Sequence, residues 1–158
     1  MEQSFLYSVE RVYPVSMEQM WAAWTEPAQL EKWYSPTELK VVAGSASSET
    51  REGGLWAIGV DVSAHGFNAY FWGEYQLVVP NKKLVHTMHY SQDPADFELK
   101  DMNTPSHRIE IDFEERDGGT WARFSQFGEM PAEQVELTRQ GMESYFKSLE
   151  AYLQGINS

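Results

Sequence analysis

The chain contains no cysteine. Disulfides, thiol nucleophiles and thiolate metal sites are therefore excluded together. Basic residues are scarce: 12 Lys and Arg stand against 24 Asp and Glu, a formal net charge of −12. Such a chain repels phosphate backbones and anionic membrane surfaces. Its aromatic residues are not interleaved with Lys and Arg as single-strand binders require, so no nucleic-acid partner is expected. No apolar run approaches the roughly 20 residues needed to span a bilayer, and no membrane partner is expected either. The opening residues MEQSFLYSVERVYPV lack a basic segment followed by an apolar one. No signal peptide is expected, and a cytoplasmic location is.

Histidine is also sparse, at His65, His86, His89 and His107. His86 and His89 are three apart on an expected strand, so they point to opposite faces and do not grip one metal. No G-x-S-x-G elbow is present. Gly53-Gly54 lacks the lysine of a phosphate loop. No cofactor or metal is expected. Glu52, Asp61 and Glu74 are the carboxylates to weigh for acid–base work, which would need one of them buried. Arg51 is either a carboxylate-binding group at a cavity mouth or a strand-end arginine paired to a neighbouring glutamate. There is no linker, low-complexity tract or internal repeat, which makes residues 1–158 one expected domain.

What the chain does have is a long amphipathic run at its end, Pro131 to Leu153. Met142, Tyr145, Phe146, Leu149, Tyr152 and Leu153 follow the spacing of one helical face. Glu143 and Lys147 form an expected surface pair, Pro131 suits the first turn and Gly155 the stop. Six Trp, eight Tyr and eight Phe suit either a dense core or the stiff walls of a cavity.

Ahead of this helix most of the chain reads as strand. Phe5 to Val15 alternates, with Tyr7, Val9, Arg11 and Tyr13 facing inward. Ser16 and Gln19 form a capping-box pair opening a short helix with Met17, Met20, Trp21 and Trp24 apolar. Pro27 breaks it, and a second short helix runs from Ala28 to Trp33. Strands follow at Leu39 to Ala46, Leu55 to Val62, Ala69 to Val79, Leu84 to Tyr90, Ser106 to Glu115 and Thr120 to Gly128. The Gly53-Gly54 pair bends the chain or lets two backbones approach. Ser91 to Pro105 is long for a hairpin connection and reads as a lid or a surface insertion. The expected architecture is α+β: a curved antiparallel sheet of about seven strands, in the order β-αα-β6-α, wrapped around the long C-terminal helix.

Several stretches carry a resemblance. Trp24-Thr25-Glu26-Pro27, then Leu30 and Trp33-Tyr34, resembles the W-T-[DE]-P…L…W signature of the family named for homology to the activator of heat-shock protein 90 ATPase. Arg51-Glu52-Gly53-Gly54 matches its R-x-G-G step. Gly73-Glu74-Tyr75…Pro80…Leu84-Val85…Thr87, Phe113-Glu114-Glu115…Gly118-Gly119-Thr120 and Gly141…Leu149…Tyr152-Leu153 follow in order. Gln126-Phe127 stand where the family often has His and a small residue, and Met88 where it often has Trp. The resemblance implies the helix-grip fold of the START/birch-pollen-allergen (SRPBCC) superfamily, whose members hold an apolar ligand between helix and sheet. It implies no shared catalytic residue.

The expected function is that of a small-molecule binding domain for a hydrophobic or amphipathic ligand. Candidate cavity residues are Trp56, Ile58, Phe71, Tyr75, Met88, Ile111 and Phe124 from the sheet, with Met142, Tyr145 and Phe146 from the helix. Plain core packing competes with this reading at each position, and one register error inverts a strand. Two other readings stand beside it. One is an enzyme of the same fold, as the superfamily's polyketide cyclases are, working through an inward polar residue such as Glu74 or His86. The other is a co-chaperone-like interaction or a homodimer, favoured by an exposed convex patch around Trp121.

Overall fold

A computed structural model describes residues 4–156. Strand β1 (Ser4–Tyr13) is followed by two short helices, α1 (Met17–Thr25) and α2 (Pro27–Trp33). Two fragments, β2 (Lys40–Val41) and β3 (Ser47–Ser48), precede the long strands β4 (Leu55–Val62), β5 (Phe67–Val79) and β6 (Lys83–Ser91). Helix α3 (Pro94–Leu99), strands β7 (His107–Arg116) and β8 (Gly119–Gly128) and helix α4 (Ala132–Ile156) complete the chain. The strands form one antiparallel sheet in the order β1-β8-β7-β6-β5-β4-β2, with β3 also on β4. The sheet curls into a half-barrel and α4 packs on it, the helix-grip arrangement.

Register defines two faces. Tyr7 lies opposite Gln126, Val9 opposite Phe124, Ile111 opposite both Phe124 and Leu84, and Tyr75 opposite His86. These residues line the inner face with Trp56 and Ile58, and all but Gln126 and His86 form one core with Trp24, Trp33, Phe146, Leu149 and Leu153. Arg11, the polar member of the inner series, reaches the rim and pairs with Glu143 of α4. Glu143 pairs with Arg139 as well, at 3.4 Å, so its ion pairs run to these two arginines rather than to the Lys147 expected from spacing. Further ties bind α4 down: the Tyr13 hydroxyl donates to the Phe146 carbonyl at 2.7 Å and the Ser148 hydroxyl to the Ser35 carbonyl at 2.7 Å.

The α1–α2 corner follows from its sequence. Ser16 and Gln19 make the reciprocal capping box. Glu26 ends α1 by donating its N–H to the Ala22 carbonyl, and its own carbonyl accepts from Gln29 and Leu30 to start α2. Pro27 at the first position of α2 needs no acceptor for a missing N–H. The Trp24 and Trp33 rings meet edge to face at 4.7 Å, and the Trp33 indole N–H donates to the Ala23 carbonyl.

Three expectations change. The strand from Leu39 to Ala46 breaks up, because Val42 to Ser45 form a turn with Gly44 at φ 77°, and the Gly59 N–H donates to the Ser45 hydroxyl at 2.9 Å in place of a ladder carbonyl. Helix α4 continues through Gly155 to Ile156. Trp121 does lie on the outer face but is only 6% exposed. The Arg116 and Arg123 guanidiniums cover its ring at 3.9 and 5.1 Å, so it is not part of an exposed apolar patch.

Most of the Ser91–Pro105 stretch wraps onto the outer face, and only its last residue, Pro105, reaches the cavity. Phe97 of α3 stacks on Tyr70 at 4.7 Å, and the Trp72 indole donates to the Asp101 carbonyl at 3.2 Å. Together they make a small second core with Ala57.

Candidate functional site

Helix α4 touches the sheet unevenly. Its C-terminal half is pressed against the core through Phe146, Leu149 and Leu153, all at most 2% exposed. Its N-terminal half turns Gln134, Thr138, Gly141 and Tyr145 toward the sheet, side chains that are small or polar. A cavity of about 880 Å³ lies beneath them. Phe71, Met88 and Tyr90 form its wall from β5 and β6, Pro105, Ser106 and His107 from the start of β7, Tyr7 and Gln126 from β1 and β8, and Tyr34 from the end of α2. Glu129 and Met130, between β8 and α4, sit at the rim. The volume falls within the usual range of about 300–1,000 Å³ for small-molecule sites.

A hydrogen-bonded chain crosses one side of the cavity. The Tyr7 hydroxyl donates to Gln126 Oε1 at 2.6 Å, and Gln126 Nε2 donates to His107 Nδ1 at 2.6 Å. Oε1 being the acceptor leaves Nε2 as the donor, so His107 Nδ1 carries a lone pair and its ring proton sits on Nε2. Gly128 makes room for that ring, since a Cβ there would come within 2.4 Å of it. The Tyr34 and Tyr145 rings meet edge to face at 5.2 Å in the cavity wall. Burial raises the phenol pKa of Tyr7, with Tyr145 adding a smaller push, and burial likewise raises Tyr34 and Tyr145. All three stay neutral, able to donate and accept.

Of the ten expected cavity residues, Phe71, Met88, Met142 and Tyr145 line this space. Trp56, Ile58, Tyr75, Ile111, Phe124 and Phe146 face inward but belong to the packed core, all at most 5% exposed. They sit where α1, α2 and the C-terminal half of α4 close on the sheet and leave no space. The residues not anticipated are mostly polar: Gln126 and His107 continue the inner series of their strands beyond Phe124 and Ile109, and Gln134 and Thr138 precede the apolar stripe of α4. The strand alternation already pointed to the first two.

The other candidates for chemistry lie elsewhere. Glu52 and Glu74 are exposed, and Glu74 is on the outer side of β5. Asp61 is held below its ordinary carboxylate pKa by hydrogen bonds from Ser63. Arg51 is 67% exposed beside Glu49 at 3.9 Å, which matches the strand-end pairing. His86 is inward but walled by Trp56 and Tyr75, with Nδ1–H donating to the Thr87 carbonyl at 2.8 Å, and His89 points outward against Trp72. Among the described residues no group of three or more His, Asp or Glu converges as metal ligands, and no helix is long and apolar enough to cross a membrane.

The fold has many relatives. The AHSA1 protein from Silicibacter pomeroyi superposes with a TM-score of 0.77 at 21% identity, over 94% of this chain and 96% of that one. A protein from Chromobacterium violaceum gives 0.75 at 21% identity, over 92% and 94%. One from Nitrosomonas europaea gives 0.74 at 19% identity, over 96% and 95%. Such identities speak for the fold alone. No curated protein sequence matches the chain. The model of the family described as Activator of Hsp90 ATPase homolog 1-like protein matches residues 14–154. The stretch it matches runs from the capping-box corner to the last turns of α4, and the chain belongs to this family, within the SRPBCC superfamily.

Proposed function

We propose that the protein binds a hydrophobic or amphipathic small molecule in the cavity under the N-terminal half of α4. The observation that carries this reading is the cavity of about 880 Å³ between helix and sheet. It combines apolar walls from Phe71, Met88 and Met142 with hydrogen-bonding groups at Tyr7, Gln126, His107, Tyr34 and Tyr145. An apolar body and a few convergent polar atoms are what a small-molecule pocket needs to hold and orient one ligand. The three methionine thioethers, Met88, Met130 and Met142, let the wall adapt to the ligand's shape.

Native mass spectrometry of protein incubated with a solvent extract of its expression host tests the proposal. The expected result is a reproducible adduct on the order of a few hundred daltons, the mass of a drug-sized ligand, released on denaturation. An extract that never yields a bound mass, on protein with intact fold by circular dichroism, contradicts it.

A further inference from the structure

Resting on the ligand-binding reading above, we propose that the cavity selects by charge: it takes uncharged apolar molecules, with or without an acceptor oxygen for Tyr34 and Tyr145, and it rejects carboxylates and other anions. Among the described residues no lysine or arginine lines the cavity, and its one carboxylate side chain is Glu129 at the rim. An anion entering it gives up its hydration, meets no counter-charge and passes a carboxylate. Burial of an unpaired charge is far more costly than burial of a hydrogen-bonded neutral group.

The polar wall favours a neutral acceptor. Tyr7 and Gln126 satisfy one another, and Gln126 also satisfies His107 Nδ1. Tyr34 and Tyr145 both line the cavity, their rings edge to face at 5.2 Å. Each phenol is kept neutral by burial, so each offers an O–H to a carbonyl, ether or hydroxyl oxygen. A guanidinium or ammonium, the group that would hold a carboxylate in a dry site, has no counterpart here.

A pair of dyes on one skeleton separates charge from shape. N-phenylnaphthylamine is neutral, and anilinonaphthalene sulfonate adds one anionic group to the same rings. Both are titrated by fluorescence into the full-length protein, at low salt and at about 1 M salt, where the Debye length of about 3 Å removes long-range repulsion by the −12 net charge. The neutral dye is expected to bind, and the sulfonate to bind about tenfold or more weakly at both salt concentrations, since desolvation is not screened. Equal affinities at high salt overturn the charge selection and leave the ligand-binding reading standing. Failure of both dyes to bind overturns both. A Gly141→Leu variant locates the dye: its side chain occupies the cavity, so binding is expected to be lost, and unchanged binding there places the dye elsewhere and overturns both as well.

Discussion

The imidazole of His86 is 5% exposed between Trp56 and Tyr75. Burial outweighs its hydrogen bond to Thr87 and lowers its pKa from 6.5 to about 4. In the unfolded chain the ring regains its ordinary value. Between those two values the unfolded state binds a proton that the folded state does not. Stability from this residue is therefore fully present above pH 6.5 and is lost as pH falls toward about 4, at about 1.4 kcal/mol per pH unit. His89, also lowered by burial, adds in the same direction. Chemical denaturation from pH 7 to 5 is expected to show this fall in wild type and a shallower one in His86→Gln; parallel slopes would contradict it. Strand parity sets His86 and His89 on opposite faces, as the structure has them. Parity does not give depth, because depth depends on what packs above the sheet. The same limit hid the division of the inner face, in which Phe124 is core and Gln126, two residues on, is cavity wall. Residues that carry the family resemblance are mostly structural: the Thr25 hydroxyl donates back to the Trp21 carbonyl, and Gly73 leaves space for the Trp56 indole N–H to reach the Thr87 carbonyl at 3.0 Å. They made the fold legible, whereas the cavity wall is built largely from other positions.

At the scale of the element, α4 is two helices in one. From Phe146 onward its apolar stripe packs the core, and this half is readable from spacing alone. Before Met142 the cavity-lining positions are Gln134, Thr138 and Gly141, which no apolar periodicity marks. Their polarity is the trace of the cavity. Gly141 offers a direct handle, since a Cβ built there meets nothing within 4 Å. Replacing it with leucine adds helix propensity worth about 1 kcal/mol and places an apolar side chain in empty space. Gly141→Leu is expected to raise the unfolding midpoint while losing ligand affinity. Destabilisation on thermal melting would show that α4 sits closer to the sheet than described. The expected strand from Leu39 to Ala46 illustrates the opposite error: its residues alternate well enough, but Gly44 and Ser45 supply turn chemistry that local alternation did not reveal.

For the whole molecule, the order of elements decided the architecture. One long helix after consecutive hairpins has a curled sheet to lie against and nowhere else to bury its stripe. Whether helix and sheet meet everywhere or leave a gap depends on summed side-chain volumes along α4, which no single residue announces. That gap is what makes a binding site possible, and the methionines provide built-in reporters for it. Met88, Met130 and Met142 line the cavity, whereas Met20 is in the core beside α2 and Met102 is on the outer face. The most direct measurement is a titration of methyl-labelled methionine protein with N-phenylnaphthylamine, followed by NMR. Saturable shifts are expected at the Met88, Met130 and Met142 methyls, with Met20 and Met102 unmoved. Shifts led by Met102, or none at the three cavity methyls while dye is bound, would contradict it.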